Sequence, residues 1–291
     1  VGVHYKCPVC QGALGLNDYR QWVCADLHSF DMAKQGYVNL HLAHQRRSAA
    51  PGDTPEMLAS RARFLNAGSY DFLVDQLVAQ LADEWLPEGA FLDQGCGEGF
   101  YLDRITRQLP QVSPMQWWGI DISKAAVKRA AQRVGRAHLA VAASRALPFF
   151  DAVFDRIISV FAPYDSQEMA RVLKPGGQVI VVGPDALHLD GLKRLIYDHN
   201  QPHQGNFGPM TQSPYFTLQS ATKLQKAVVI EGSEIGDLLA MTPYFWSAGR
   251  QAQATVRRLE SLETHLAFDV RVYRRLSIPI DSTETATSLV L

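Results

Sequence analysis

The chain has 291 residues, 47% of them hydrophobic and 20% charged, with a formal net charge of -1 at pH 7. That balance supports one substantial core with a small accessory domain and excludes a disordered chain. No apolar run approaches the roughly 18 residues of a membrane span, and the N-terminus lacks the basic-then-apolar layout of a secretory signal, so no membrane partner and a cytoplasmic location are expected.

Three of the four cysteines fall within the first 24 residues, as Cys7-Pro8-Val9-Cys10 and then Cys24, followed by His28. Two cysteines separated by two residues grip one ion from a tight turn, and a second turn brings Cys24 and His28 to the remaining tetrahedral corners. Gly12 and Gly15 follow the first turn, where a reversing chain needs them. A disulfide and a redox dithiol are the alternatives. The odd cysteine count here and a reducing compartment disfavour the first, and the missing thioredoxin-like context disfavours the second. One structural zinc is expected, because about 35 residues cannot fold on their own apolar surface.

The next stretch is locally basic. Lys34, Arg46, Arg47, Arg61 and Arg63, with His41 and His44, face only Asp53 and Glu56 between positions 34 and 63. Beside a zinc module in a near-neutral chain, this excess points to a phosphate backbone; a solvated face is the plain alternative. An amphipathic helix follows over Asp71 to Leu81, entered from Tyr70.

Next comes the apolar run Ala90-Phe91-Leu92 and then Asp93-Gln94-Gly95-Cys96-Gly97-Glu98-Gly99. Alternate glycines let the backbone bend sharply and let a ligand approach its amides. A helix over Tyr101 to Leu109 would offer its N-terminus to that ligand. Asp121 ends a second strand at Trp117 to Ile120, about twenty residues on, where a carboxylate accepts ribose hydroxyls. That spacing fits several nucleoside cofactors. Asp93 favours S-adenosylmethionine, because a carboxylate at the loop head attracts the cationic methionyl group and repels a pyrophosphate.

Ala142-Ala143-Ser144 closes a third strand, with Ser144 placed against the adenine. Phe154 to Phe161 reads as a fourth strand and Gln178 to Val182 as a fifth, after the turn Lys174-Pro175-Gly176-Gly177. Strands alternating with helices predict a parallel sheet covered on both faces, an α/β Rossmann-like class I methyltransferase domain. Ligands in such sheets bind beyond the carboxyl ends of the strands, which puts Phe161-Ala162-Pro163-Tyr164-Asp165 at the methyl acceptor. Asp165 is a candidate proton acceptor and Tyr164 a stacking or hydrogen-bonding partner; a helix cap at Asp165 is the structural alternative. Tyr244-Phe245-Trp246 offers either stacking surface or core.

With these elements in place, the sequence resembles the bacterial 23S ribosomal RNA guanine-N1 methyltransferases, the RlmA type. The resemblance runs to about Arg275 and includes the zinc ligands, Phe30-Asp31-Met32-Ala33-Lys34 through Leu40, Pro51-Gly52-Asp53, Arg63 to Tyr70, Asp93 to Gly99, and Met241-Thr242-Pro243. Gln94 departs from the aliphatic residue usual in the loop. The resemblance implies methylation of N1 of a guanine in a hairpin loop of 23S ribosomal RNA, by a homodimer. It implies a cofactor site of Tyr70, Asp93, Gly95, Gly97, Glu98, Gly99, Asp121, Ser144 and His188, with Tyr70 and His188 closing over the cofactor. The expected division is a zinc module at 1–35, a methyltransferase domain at 36–275 (cofactor core about 70–185, substrate-side elements about 186–275) and a disordered tail at 276–291. A small-molecule methyltransferase and a non-catalytic RNA-binding factor with a relic cofactor site remain open as alternatives.

Overall fold

The computed structural model describes residues 3–45, 52–83, 86, 88–109, 115–197 and 205–277, with backbone alone at 45, 246 and 247. Arg46, Arg47, Pro51, the tail from 281 to 291 and the Trp246 side chain lie outside the described residues.

Three short antiparallel strands, β1 (Gly15–Leu16), β2 (Gln21–Val23) and β3 (Ser29–Asp31), form the N-terminal ribbon. β4 (Tyr37–Asn39) then leaves it and pairs in parallel with β7 (Ala137–Val141) of the main sheet. Helix α1 (Pro55–Asn66) starts at Thr54, whose side chain accepts the Met57 amide, with Pro55 in the first turn, where its missing N–H costs nothing. α2 (Asp71–Asp83) contains the expected 71–81 helix.

The α/β core alternates β5 (Ala90–Gln94), α3 (Phe100–Gln108), β6 (Gln116–Asp121), α4 (Lys124–Arg133), β7, β8 (Phe154–Val160), α5 (Ser166–Val172) and β9 (Leu173–Pro184). β5 is buried along its whole length, as a central parallel strand with both faces covered must be. β7 stops at Val141, earlier than expected: the Ala142 amide makes the last bond to β6, to the Asp121 carbonyl at 3.0 Å, where β6 itself ends, and Ala142 to Ser144 form the exit loop. The predicted turn at Lys174 to Gly177 is an excursion within β9. Leu173 pairs with Phe154 and Gln178 with Arg156, so the intervening residues loop out, with Gly176 at φ +77°.

The C-terminal third adds α6 (Asp190–Ile196), α7 (Gly208–Thr211), β10 (Phe216–Glu231), α8 (Ser233–Ala240), α9 (Tyr244–Ser247), α10 (Arg250–Arg257) and β11 (Ser261–Arg275). β11 runs antiparallel to both β9 and β10, so the eight-stranded sheet is mixed rather than wholly parallel. Its order is β10-β11-β9-β8-β5-β6-β7-β4. From β5 the chain winds outward through β6 and β7 on one side and continues through β8 and β9 on the other. The winding reverses between β5 and β8, which opens a crevice at their carboxyl ends.

Alternate residues of the strands feed two cores. Phe91, Trp117, Leu139, Ile158 and Ile180 meet α1 to α4 and α8, while Leu92, Trp118, Ala140, Ile157 and Val179 meet α5 and the ribbon. Tyr5 of the ribbon packs edge-on to Trp118 at 4.9 Å and lies stacked with Phe149 at 5.5 Å. The ribbon thus covers sheet surface that a helix covers elsewhere in the fold.

Candidate active site and metal centre

The four ribbon ligands converge. Ligand atoms of Cys7, Cys10, Cys24 and His28 all lie within 4.8 Å of one another. Cys10 Sγ is 3.5 Å from Cys24 Sγ, and Cys24 Sγ is 3.4 Å from His28 Nδ1. These separations are far beyond a disulfide bond and close to the edge of a tetrahedron, about 3.8 Å for zinc–sulfur bonds of about 2.3 Å. All four cysteines of the chain are free. Both turns are tightened by residues in the left-handed region, Gln11 at φ +66° and Leu27 at φ +62°. At the first turn the Cys7 amide donates to the Gly12 carbonyl at 2.7 Å; at the second the Leu27 amide donates to the Cys24 carbonyl at 3.0 Å. The donor set and its spacing fit a closed, structural zinc site.

At the crevice, Asp93 is 1% exposed and its Oδ2 has no hydrogen-bond partner. Burial, and then the neighbouring Asp121, push its carboxyl up to about 8. A buried, unpartnered carboxyl at the head of a glycine loop is the complement of a cationic ligand group. Asp121 is itself raised by burial, against which the Ser123 and Gly97 amides work, at 2.7 and 3.0 Å from its two oxygens.

Gly95, Gly97 and Gly99 all have positive φ, at +79°, +54° and +81°. A Cβ on Gly95 would sit 2.3 Å from the Ala162 Cβ, so the glycine lets the β5 loop touch the loop after β8. Gln94 adds to that junction by donating from Nε2 to the Pro163 carbonyl at 3.0 Å. The unusual glutamine is therefore a latch between the two loops. Glu98 turns toward α4, with Oε1 3.4 Å from Arg133, and burial raises it despite that partner. Ser144 is half-buried in the loop after β7.

Tyr70 and His188 come together across 118 residues, with Tyr70 Oη 3.4 Å from His188 Nε2. His188 Nδ1 accepts the Ala267 amide at 3.2 Å, which fixes the neutral ring as the Nε2–H form, donating to Tyr70. Phe161 stacks on the same imidazole at 5.6 Å and 23°, is 42% exposed, and holds a left-handed φ of +54°. An aromatic residue in that conformation carries backbone strain, held here beside the crevice.

Asp165 caps α5, its Oδ1 accepting the Gln167 and Glu168 amides at 2.9 and 3.0 Å. Tyr164 donates to the Asn206 carbonyl at 2.6 Å, and burial pushes its hydroxyl up to about 12, so it stays protonated at neutral pH. Tyr244 is buried and edge-on to Tyr197 at 6.0 Å, a core position.

The basic stretch divides. Arg61 pairs with Asp53 and donates to the Met241 carbonyl at 3.1 Å, and its guanidinium would lie 3.9 Å from a Cβ on Gly97. Arg63 is held by both oxygens of Asp237, at 2.8 and 2.5 Å. Neither belongs to a free phosphate-binding face. Arg61 instead roofs the glycine loop, and Gly52, at φ +86°, brings the neighbouring segment so close to Ser123 that a Cβ would meet its Cβ at 2.8 Å. Composition signalled only charge at Arg61. Its role shows through its contacts with Asp53 and Met241, one from each of two blocks far apart in the sequence.

Comparison with known proteins agrees with both halves. Residues 5–49 match the zinc-ribbon family described as RlmA, N-terminal, and residues 91–177 match the methyltransferase domain family. A Streptomyces fradiae protein named 23S rRNA (guanine(748)-N(1))-methyltransferase is 32% identical, covering 84% of this chain and 86% of its own. The chain belongs to the 23S ribosomal RNA guanine-N1 methyltransferase family. Two further members, both provisionally named 23S rRNA (guanine-N(1)-)-methyltransferase, share 26% identity (Bacillus subtilis strain 168; 92% of this chain, 96% of the relative) and 37% identity (Micromonospora griseorubida; 64% and 67%). Within this family the unpartnered Asp93 carboxyl, the glycine cradle and Asp121 fit S-adenosylmethionine, and the ribbon fits zinc. Among the described residues, no helix is long and apolar enough to cross a membrane.

Proposed function

We propose that the protein transfers the methyl group of S-adenosylmethionine to N1 of a guanine in a hairpin loop of 23S ribosomal RNA. The observation that carries the reading is Asp93: a buried carboxyl whose Oδ2 has no hydrogen-bond partner, at the strand reversal, in a chain of this family. When bound, the cofactor supplies an electrophilic methyl on a cationic sulfur. The chain's own residues do the rest. Asp93 takes the methionyl ammonium, Asp121 the ribose hydroxyls, and the Gly95 to Gly99 backbone, Glu98 included, the close approach; Ser144, Tyr70 and His188 complete the cofactor pocket.

N1 of guanine lies on the Watson–Crick edge and carries a proton, so the base must be unpaired to react and must lose that proton. The outer face of Phe161, backed by His188, is a platform for the exposed purine. The Ala162 carbonyl, which accepts no hydrogen bond among the described residues, is left to accept from its N–H groups. Asp165 receives the N1 proton on Oδ2 while Oδ1 keeps the helix cap. Positioning of this kind accounts for about 7–11 kcal/mol of the barrier lowering.

The resemblance to the family also supports a homodimer, and a ribosomal RNA substrate supports a cytoplasmic location. The test is incorporation of labelled methyl from S-adenosylmethionine into in vitro transcribed 23S ribosomal RNA, with free nucleosides and total metabolites as parallel substrates. Incorporation into RNA alone is expected. Incorporation into a metabolite alone would reinstate a small-molecule methyltransferase, and binding of RNA without any transfer would reinstate the relic-site factor.

A further inference from the structure

A cleft of about 240 Å³ lies where the zinc ribbon meets the methyltransferase sheet. Its ribbon wall is Lys6, Pro8 and Gln11 of the first metal turn; its opposite wall is the loop after β7, with Arg145. The two walls are tied by the backbone, Lys6 donating its amide to the Pro148 carbonyl at 2.8 Å.

The charges in this cleft do not cancel. Arg171 is spent: its guanidinium binds Glu168 at 2.7 and 2.8 Å, Asp151 at 2.9 Å, and the Phe149 and Leu147 carbonyls at 2.7 and 2.9 Å. Glu168 is neutralised by the same contact. Among the described residues, the side chains of Lys6 and Arg145 have no hydrogen-bond or ion-pair partner, although both line the cleft. Two unpartnered cations on facing walls form a seat for an anion with several acceptor oxygens. The cofactor carries no phosphate, and the carboxyl it must meet, Asp93, lies on β5, not in this cleft.

The cleft opens at the ends of β7 and β4, three strands along from the β8 end that carries Phe161. Three strand spacings amount to roughly 14 Å. We infer that Lys6 and Arg145 together bind a backbone phosphate of the substrate RNA, a few nucleotides from the target guanine, so that the ribbon and the methyltransferase domain grip one strand jointly. This inference rests on the RNA substrate proposed above. It adds an RNA contact at the junction, where the cations are free, unlike Arg61 and Arg63 of the basic stretch, which are committed to Asp53 and Asp237.

The test uses the full zinc-loaded chain carrying Lys6→Ala and Arg145→Ala, together and singly, with 23S ribosomal RNA transcribed in vitro. The double variant is expected to raise KM for RNA about tenfold and to flatten the dependence of log affinity on log salt by about 1 to 2, while the Kd for S-adenosylmethionine and the zinc content stay unchanged. Lys6→Arg with Arg145→Lys, which keeps both charges, should restore the wild-type salt slope. A wild-type KM and slope in the double variant would overturn the phosphate seat and leave the methyltransferase reading standing. Failure of the unmodified protein to methylate the RNA at all would sink that reading itself, a result distinct from the first.

Discussion

Asp93 is the residue on which the cofactor site turns, and its displaced ionisation makes it testable. The carboxyl sits at about 8 in the free protein, against an ordinary value near 4. Between those values the folded chain holds a proton that the unfolded chain has released, so Asp93 contributes less to stability as pH rises through that window. In the absence of ligand, Asp93→Asn should therefore remove part of the fall in Tm between pH 5 and 8; an unaltered pH profile would refute the assignment. A bound methionyl ammonium favours the ionised form, so cofactor binding at pH 7 should release close to one proton in the wild type and none from this site in Asp93→Asn. Calorimetry in buffers of different ionisation enthalpy measures this directly, and an absence of proton release would contradict it. Gly95→Ala places a methyl 2.3 Å from Ala162 on a backbone with φ +79°, and should cost about 1–3 kcal/mol of stability together with cofactor affinity. Asp93, the glycines, Asp121 and the zinc ligands were legible in the sequence because their chemistry depends on short local spacings. Arg61 was not: its partner Met241 lies 180 residues on, and only folding shows that its charge is committed.

At the scale of elements, α5 separates a structural role from a chemical one. An asparagine caps a helix about as well as an aspartate does, so Asp165→Asn should keep Tm near wild type. If Oδ2 takes the N1 proton, the same change lowers kcat by about 10²-fold or more. An unchanged kcat would leave Asp165 only its cap. The parallel strands were readable because buried strands bounded by glycine and acidic residues carry a strong local signature. β10 and β11 escaped that reading. β10 is mostly exposed on an edge, with a register irregularity between Leu218 and Ser220, so its pattern of alternation is weak. β7 ended early because its partner does: β6 stops at Asp121, and the Ala142 amide makes the last ladder bond to the Asp121 carbonyl, a limit set by the neighbouring strand and invisible in composition.

Across the whole molecule, the metal site and the cofactor site are mechanically joined. Tyr5, Trp22, Trp118 and Phe149 form one aromatic cluster spanning ribbon and sheet. Zinc removal by a chelator, or Cys24→Ser, should therefore lower the Tm of the entire chain and alter tryptophan fluorescence from this cluster, rather than release a ribbon that melts separately. A separate low-temperature transition with an unchanged main one would contradict the shared core.

The central claim is that both modules serve methylation of one guanine at N1. A methyl there blocks Watson–Crick pairing, so reverse transcriptase stops at the modified base. Primer extension across 23S ribosomal RNA, treated with the zinc-loaded protein and S-adenosylmethionine, should give one new stop beside a single guanine, absent without cofactor and in Asp93→Asn. Methyl incorporation with no stop, or stops scattered over many guanines, would contradict the account.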